Sequence, residues 1–291
     1  MLSTIGKMER IELGVIGGSG LYGLAGLANQ REVDLSTPYG KPSDPIVVGE
    51  LAGRRVAFLA RHGRGHRITP SEVPAVANIY ALKSLGVTEI VSVSAVGSLR
   101  EELRPGDFVL PDQLVDRTNG IRRYSFFGDG VVAHVPLGDP YCARLRAALL
   151  DVAGGTARVH DGGTYICIEG PQFSTRAESE LYRAWGMDII GMTASPEAKL
   201  AREAGICLVN LALVTDYDCW REATEAVTAE MVAAVMARNV ATAKVVIESF
   251  AKRVSPAVSC GCRTAVTNAV LTDPAVVPVP ARERLRLFLD G

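Results

Sequence analysis

Two carboxylates follow the most apolar stretch of the chain and are its best candidates for acid–base chemistry. Residues 206–215 read ICLVNLALVT, which is typical of a strand buried on both faces of a sheet, and Asp216 and Asp218 follow at once. Side chains two residues apart on an extended segment point the same way, so both acids can face one ligand. In a parallel α/β sheet, ligands bind beyond the carboxyl ends of the strands. A pair of solvated loop acids is the alternative, and this pattern alone leaves both interpretations open.

Basic and hydroxyl side chains follow other predicted strands and favour an anion site. The run Arg61-His-Gly-Arg-Gly-His66 comes directly after a predicted strand, and the planar fork of an arginine suits an oxyanion or a phosphate. Ser19 lies in a glycine turn after the first strand, where backbone N–H groups can also receive an anion. Ser94 and Thr193 lie at the ends of two further strands. A solvated basic loop is the alternative interpretation of the first run.

An anion at one end of a site and carboxylates at the other favour a substrate that is cleaved between them. N-glycosidic bonds fit, because cleavage through an oxocarbenium-like sugar needs a nucleophile on one side and protonation of the leaving base on the other. A planar purine would pack against an aromatic side chain. The candidates are Ser19, Arg61, His62, Ser94 and Thr193 for the anion, Phe173 and Met192 for an apolar wall, and Asp216 and Asp218 for acid catalysis.

Strand-like and helix-like segments alternate along the chain, which predicts an α/β fold. We expect a single-domain three-layer sandwich with a mixed, largely parallel central sheet flanked by helices. No repeat or linker marks a boundary, so one domain is predicted over residues 1–291, with a C-terminal helical tail from about residue 256. The strand that begins at Glu89 is predicted to end at Ser94, and Ser195-Pro-Glu197 predicts a helix start capped by its serine.

Composition and charge exclude several classes of partner. The chain is 48% hydrophobic and 22% charged, which is ordinary for a folded globular protein. Its net charge of -1 gives no electrostatic reason to bind nucleic acid or an anionic membrane. No apolar run approaches the ~20 residues of a membrane-spanning helix, and the first residues, MLSTIGK, lack the core of a signal peptide. A cytoplasmic protein is expected.

Six cysteines raise the question of a disulfide or a metal site. Cys142, Cys167, Cys207 and Cys219 stand singly, most of them in or beside predicted strands, where a buried free thiol is the usual state. Cys260-Gly-Cys262 can close a small, strained disulfide. No second paired cluster or nearby histidine completes the four ligands of a zinc site, so no metal is expected. Reduced thiols are predicted, because cytosolic disulfides are rare outside hyperthermophiles.

One glycine motif points to another class of protein, the dinucleotide-dependent oxidoreductases. The segment Gly18 to Gly23 satisfies their fingerprint G-x-G-x-x-G. The context does not fit, because no long helix follows and Pro38, Pro42 and Pro45 occupy the place of the next βα unit. A short anion-binding turn is the interpretation that remains.

Several long motifs, in a consistent order over nearly the whole chain, resemble the nucleoside phosphorylase superfamily and closely its 5'-methylthioadenosine phosphorylase branch. The resemblance fades after about Pro256. The matching runs are Gly17-Gly-Ser-Gly-Leu21, Arg61-His-Gly-Arg-Gly-His66, Gly97-Ser-Leu-Arg-Glu101 to Pro105-Gly-Asp107, Asp112-Gln113, Asp116-Arg-Thr118, Glu169-Gly-Pro-Gln-Phe-Ser-Thr-Arg-Ala-Glu178, Met192-Thr193 with Pro196-Glu197, and Thr215-Asp-Tyr-Asp-Cys-Trp220.

The resemblance implies phosphorolysis, in which methylthioadenosine and the co-substrate phosphate give adenine and 5-methylthioribose 1-phosphate without a metal or an organic cofactor. Asp216 matches the acid that serves purine N7, and Asp218 matches the acceptor of the 6-amino group. Asp216 would then have to hold a proton at neutral pH, through burial or through its neighbour. The matches for the phosphate are Ser19, Arg61, His62, Ser94, Ala95 and Thr193; those for the base and sugar are Gly97, Phe173 and Met192.

The resemblance also implies an assembly of several copies. His134 lies in a long segment, residues 116–139, that is predicted to be irregular, and loops of this length are usually functional or disordered. It matches a histidine that, in the family, reaches the sugar pocket of the neighbouring subunit. A homotrimer, or a hexamer built from trimers, is therefore implied.

Departures from the family pattern concern substrate range. Ser19 and Ser94 replace threonines but keep the hydroxyls, and Ala229 and Ala233 stand where bulkier aliphatic residues are common beside the 5'-substituent. The smaller side chains favour a larger pocket that admits adenosine or other nucleosides. The main rival is thus a purine nucleoside phosphorylase of broad specificity that acts on adenosine, inosine or guanosine.

Two positions argue against strict use of 6-oxopurines. That branch would have asparagine in place of Asp216 and glutamate in place of Ser174, so this sequence favours adenine. A hydrolytic nucleosidase would not require the phosphate site of Arg61 and His62. A non-catalytic nucleoside-binding module would not require the acid at position 216.

Overall fold

The protein is an α/β sandwich built on one mixed sheet. The computed structural model describes residues 11–289 except residue 25 and the segments 222–228 and 254–259, and for residues 229–233 it describes the backbone alone. The strands are β1 (Leu13–Gly17), β2 (Ala28–Val33), β3 (Ile46–Leu51), β4 (Arg54–Ala60), β5 (Glu89–Ser98), β6 (Phe108–Leu110), β7 (Gln113–Arg117), β8 (Val159–Asp161), β9 (Thr164–Ile168), β10 (Ile189–Gly191) and β11 (Cys207–Asp216). The helices are α1 (Ala75–Ser84), α2 (Ala143–Ala153), α3 (Arg176–Ala184), α4 (Ala194–Glu203), α5 (Ala229–Arg253) and α6 (Val279–Leu289).

The centre of the sheet is parallel and its margins are mixed. Strand β1 runs parallel to both β4 and β5, and β11 runs parallel to β5 along its other edge. The pairs β2–β3, β3–β4, β5–β10 and β6–β11 are antiparallel, whereas β6–β8, β7–β9 and β9–β10 are parallel. The predicted mixed, largely parallel sheet is confirmed.

Successive residues of the central strands face two different helical layers. In β4, Val56 and Phe58 pack in a core that includes residues of α2 and α5, while Ala57 and Leu59 pack in a core with α1, α4 and α6. Both faces of the central strands are therefore buried. This is why their sequences are continuous apolar runs and do not alternate between apolar and polar residues. The three-layer arrangement predicted from the alternation of elements is confirmed.

Strands β5 and β11 lie side by side and carry most of the candidate site at their carboxyl ends. Their pairing extends from Cys207 to Asp216 on the β11 side. The prediction that β5 ends at Ser94 is wrong, because the strand continues to Ser98. The extra residues stay extended because Ser98 pairs with Ile189 of β10, a partner far away in the sequence.

Helix α4 begins two residues earlier than predicted, since Thr193 and not Ser195 is its N-cap residue. The hydroxyl of Ser195 instead donates a hydrogen bond to Asp116 Oδ2 in strand β7 at 2.5 Å. The capping box predicted at Thr175 is confirmed and begins α3. Strand β7 takes up the first part of the segment that was predicted to be irregular.

The C-terminal segment, from residue 260 to α6, consists of turns and a short 3-10 helix that pack on the sandwich. Its Ala133–Val270 bridge ties it to the long segment after β7. The predicted start of the tail near residue 256 lies outside the described residues. Among the described helices, none is long and apolar enough to cross a membrane.

Candidate active site

The glycine turn after β1 lies against the end of β4 and the middle of β5. The backbone N–H of Arg61 donates to the carbonyl of Gly17 at 3.0 Å. A Cβ on Gly18 would lie 2.9 Å from Arg61 Nη1 and 2.5 Å from the Val93 carbonyl, so a side chain there would displace the strand end. The structure thus places the turn that contains the half-buried Ser19 next to Arg61 and to Val93 and Ser94 of β5.

Arg61 is a buried cation whose charge is balanced by Glu197. Its side chain is only 1% exposed, and it donates from Nε to Glu197 Oε1 at 2.5 Å and from Nη2 to Oε2 at 3.0 Å. Nη1 donates to the Val93 carbonyl and Nη2 to Ser92 Oγ, both at 2.8 Å. Of the five guanidinium hydrogens, these contacts use one on Nε, one on Nη1 and two on Nη2. Among described contacts, one Nη1 hydrogen therefore remains, and Nη1 is the Arg61 atom that would lie 2.9 Å from a Cβ on Gly18.

A chain of hydrogen bonds leads from Glu197 to Ser94. Ser92 Oγ donates to Glu197 Oε2 at 2.6 Å, and the Asn210 amide lies 3.4 Å from Ser92 Oγ. Ser94 Oγ donates in turn to Asn210 Oδ1 at 3.2 Å. Sequence reasoning missed Glu197, Ser92 and Asn210 as parts of the site. A sequence signal was available for Ser92 and Asn210. Each is a polar residue inside a buried strand, and buried polar groups need hydrogen-bond partners.

His62 is buried beside Arg61 and is neutral at physiological pH. Its Nδ1 lies 2.9 Å from the Ile68 carbonyl, and since a carbonyl only accepts, Nδ1 carries the hydrogen and Nε2 is left as an acceptor. Burial, with the positive charge of Arg61 adding to it, lowers the pKa of His62 to about 4. The ring stacks on His66 with centroids 4.5 Å apart.

Thr193 and Ala95 lie at element ends next to this cluster. Thr193 is the N-cap of α4 and precedes Glu197 by one helical turn, so the amino end of α4 lies beside the Arg61–Glu197 pair. Unpaired N–H groups at such a helix end attract anions. Ala95 follows Ser94 in β5 and pairs with Leu213 of β11.

Asp216 and Asp218 lie together at the end of β11. The backbone N–H of Asp218 donates to Asp216 Oδ1 at 2.8 Å, and Thr215 Oγ1 donates to Asp216 Oδ2 at 2.7 Å. Gly97 of β5 adjoins both acids, since a Cβ there would lie 3.1 Å from Asp216 Oδ1 and 3.4 Å from Asp218 Cβ. Glycine at this position leaves room for the pair, and the structure brings together three residues that the sequence named separately.

Asp218 is held in an uncommon environment. Burial raises its pKa; the negative charge of Asp216 adds to this effect, and a hydrogen bond from Ser179 Oγ to Oδ2 at 2.5 Å opposes it. Its backbone has φ of 45°, a left-handed conformation that few residues other than glycine adopt. Such conformations cost about 1–3 kcal/mol and are concentrated at functional sites. Ser179 is a fully buried serine of helix α3, and it was not predicted as part of the site.

The predicted apolar wall is only partly assembled within one chain. Met192 packs so closely against Gly170 that a Cβ on this glycine would overlap the Met192 sulfur. Phe173 is 84% exposed. Its loop is tied to the acids by a hydrogen bond from Cys219 Sγ to the Ser174 carbonyl at 3.2 Å. Contact between Phe173 and a base stays a prediction.

Glu169 fixes the start of this loop. It accepts hydrogen bonds from Arg122 Nε at 2.6 Å, from the Asn119 backbone at 2.7 Å and from the Ser71 hydroxyl. Arg122 Nη1 also donates to the Met192 carbonyl at 2.5 Å. No role was predicted for Glu169, and its partner Arg122 links the start of the loop to Met192.

For three predicted residues the structure describes no contact with this arrangement. His134 is exposed, its backbone N–H donates to the Ala269 carbonyl at 2.8 Å, and no described contact joins its ring to the acids of its own chain. Ala229 and Ala233 have side chains outside the described residues.

Comparisons with known proteins show the family to which this chain belongs. The sequence profile of the phosphorylase superfamily matches residues 12–252. The S-methyl-5'-thioadenosine phosphorylase of Geobacter sulfurreducens is 54% identical over 285 residues, which are 98% of this chain and 99% of that protein.

Solved structures extend the likeness to three dimensions. A crystal structure of methylthioadenosine phosphorylase from an Antarctic soil metagenomic library has a TM-score of 0.92 and 49% identity, and covers 97% of this chain and 100% of that chain. A mutant of the adenosine/methylthioadenosine phosphorylase of Schistosoma mansoni, in complex with methylthioadenosine, has a TM-score of 0.77 and 38% identity, over 83% of this chain and 91% of the other. This chain belongs to the phosphorylase superfamily and, within it, to the S-methyl-5'-thioadenosine phosphorylase family.

Proposed function

We propose that this protein catalyses the phosphorolysis of 5'-methylthioadenosine to adenine and 5-methylthioribose 1-phosphate. The observation that carries the proposal is the pair of acids, Asp216 and Asp218, which adjoins Gly97 at the end of the same strand, β5, that contributes Ser94 to the anion cradle. Its close relatives carry the name of this activity.

Phosphate would bind beside Gly18, where Ser19, Arg61 and Ser94 meet. Because Glu197 balances the charge of Arg61, the anion would rely on the remaining Nη1 hydrogen together with neutral donors. Those donors are the N–H groups of the glycine turn, the Ala95 backbone and the amino end of α4 at Thr193.

His62 would orient the phosphate as a hydrogen-bond acceptor. In the neutral ring Nε2 has no hydrogen, so a phosphate that carries a hydrogen can donate it to this atom. A bound anion would also stabilise the imidazolium form, which means that phosphate binding should raise the pKa of His62.

The acid pair would recognise and activate the base. Asp216 would deliver a proton to N7, and Asp218 would accept a hydrogen from the 6-amino group. Each Asp216 oxygen accepts one hydrogen bond and keeps a second lone pair, so the carboxyl group can carry a proton without losing either bond. Protonation of the leaving base typically contributes about 10²–10⁴ to the rate.

A neighbouring copy would complete the site in a homotrimer or a hexamer. His134 would reach the sugar pocket of the adjacent subunit, in agreement with its exposure and its lack of described contacts to the acids of its own chain. The exposed Phe173 would then be covered by bound substrate. Phosphate is proposed as the sole co-substrate, without a metal or organic cofactor in the reaction, and the cytoplasmic location expected from the sequence stays a prediction.

A broader purine nucleoside phosphorylase, acting on adenosine, inosine or guanosine, is the alternative. Among the described atoms, Ser174 Oγ is buried without a hydrogen-bond partner, so this loop offers a polar group to a base or sugar. The Schistosoma mansoni relative is named for both adenosine and methylthioadenosine.

The test is release of free base from methylthioadenosine, adenosine and inosine, each with and without phosphate. We expect phosphate-dependent release that is fastest with methylthioadenosine and is lost in Asp216→Ala. Equal rates with inosine would assign the broad activity, and release without phosphate would overturn the phosphate site.

A further inference from the structure

Four cysteines meet at the edge of the sandwich where β11 begins, away from the acids. Cys207 is the first residue of β11, Cys142 is the N-cap residue of α2, and Cys260 and Cys262 lie in the C-terminal segment. Their sulfur atoms all lie within 4.8 Å of one another. All four are free thiols; Cys260 is half-buried and the others are buried.

The sulfur spacing fits a shared centre. Cys260 Sγ lies 3.0 Å from Cys207 Sγ and 3.9 Å from Cys142 Sγ. Four sulfurs in a tetrahedron around zinc, each about 2.3 Å from the metal, would lie about 3.8 Å apart. The 3.9 Å separation is close to this value, the 3.0 Å separation is shorter, and both exceed the about 2.05 Å of a disulfide bond. Because Cys260 Sγ lies near both Cys207 Sγ and Cys142 Sγ, these distances do not divide the four cysteines into two disulfide pairs.

The surroundings are suited to thiolates. Arg144 Nη2 lies 3.9 Å from Cys207 Sγ, although this arginine also pairs with Glu89, and the charge of Arg202 acts on Cys262. Nearby positive groups of this kind offset the negative charge of a metal tetrathiolate.

We propose that Cys142, Cys207, Cys260 and Cys262 bind one zinc ion in a closed tetrahedral site. Thiolate sulfur selects zinc over hard cations such as magnesium, and four protein ligands leave no position for a substrate, so the role is structural. The ion would fasten the C-terminal segment to the starts of β11 and α2.

Binding follows a balanced exchange in which four thiols and one Zn²⁺ give the tetrathiolate and four released protons. Zinc affinity should therefore fall as the pH is lowered. The expectation of no metal rested on ligand spacing along the chain, which does not show that Cys142 and Cys207 lie beside Cys260 and Cys262 in the fold.

The test uses the full-length chain, purified with reductant and stripped of metal, and Co²⁺ as the probe. We expect uptake of about one Co²⁺ per chain, with the sulfur-to-cobalt charge-transfer and visible bands of tetrahedral thiolate coordination, and displacement by Zn²⁺. Bound zinc should also protect four of the six cysteines from a thiol reagent until a chelator is added.

Cys260→Ser should lose the cobalt bands, while Cys219→Ser, a control cysteine outside the cluster, should keep them. Wild-type chain that takes up no cobalt, or bands that survive in Cys260→Ser, would overturn the site. A metal-free chain purified without reductant whose mass is four hydrogens below that of the reduced chain would assign two disulfides instead. The wild-type measurements decide the matter even if Cys260→Ser fails to fold.

Discussion

The two ends of β11 differ in chemistry, burial and the way in which their residues are recruited. At its carboxyl end, Asp216 and Asp218 are half-buried, with a left-handed backbone at Asp218. At its amino end, Cys207 is fully buried in a cluster of four thiols. Nine residue steps of about 3.3 Å separate the ends by about 30 Å.

On the two proposals made above, one strand carries a catalytic end and a structural end. The acid end holds a left-handed residue, a kind of backbone strain that is concentrated at functional sites. The cysteine end is buried, and its thiols bring together segments that are far apart in the sequence. Cys260→Ser should therefore lower the stability of the fold while leaving kcat for phosphorolysis within about twofold, since sites this far apart act independently.

The largest expected effect is at the acid end. Asp216→Asn keeps the size of the side chain but cannot deliver a carboxyl proton to the leaving base, so kcat/KM for methylthioadenosine should fall by about 10²–10⁴. Adenine release measures it. Glu248→Gln, on the exposed face of α5, is the matched control and should act as wild type. A fall of less than threefold in Asp216→Asn would remove the acid from the mechanism.

Glu197→Gln should destabilise the fold by about 3–5 kcal/mol, because it leaves the buried Arg61 without its counter-charge. Phosphate would replace part of that charge, so the rise in melting temperature on adding phosphate should be larger in the variant than in the wild type. Thermal unfolding with and without phosphate checks both statements. An equal or smaller rise in the variant would contradict the placement of phosphate beside Arg61.

Gly97→Ala tests the close approach of β5 to the acids. The new methyl group would lie 3.0 Å from Ile190 Cγ2 and 3.1 Å from Asp216 Oδ1, so we expect a loss of stability of about 1–3 kcal/mol together with reduced kcat. Gly155→Ala, at a glycine with open space around it, is the control. Unchanged kcat in Gly97→Ala would show that the acids tolerate displacement.

The smallest effect concerns pH. The pKa of His62 falls from 6.5 to about 4 on folding, so the folded state resists its protonation, and the free energy of unfolding should fall as the pH drops from 6.5 towards 4. His62→Gln should remove this part of the dependence and flatten the profile. Denaturant unfolding at several pH values measures the difference between the two proteins. Parallel profiles would contradict a buried neutral histidine.

Much of the fold follows from the sequence because local patterns decide it. Continuous apolar strands alternating with helices predict the buried parallel sheet, and the capping box at Thr175 predicts the start of α3. The end of β5 was mispredicted because Ser98 is kept extended by β10, which no local pattern reveals.

The candidate site also has parts that local sequence patterns predict and parts that they do not. The acids and Arg61 are visible at strand ends, whereas Glu197 lies 136 residues from its partner Arg61. The cysteine cluster is hidden from local inference in the same way, because Cys142 and Cys260 are 118 residues apart. Long-range pairing of this kind depends on the topology of the sheet and not on neighbouring residues.

We propose that the strand ends at Asp216 and Arg61 carry out phosphorolysis. Phosphorus NMR of wild-type protein mixed with methylthioadenosine and inorganic phosphate tests it most directly. We expect the signal of a sugar 1-phosphate to grow in step with free adenine, and no adenine to form when phosphate is left out. Adenine that appears without a new phosphorus signal would mean that water is the nucleophile and would contradict the account.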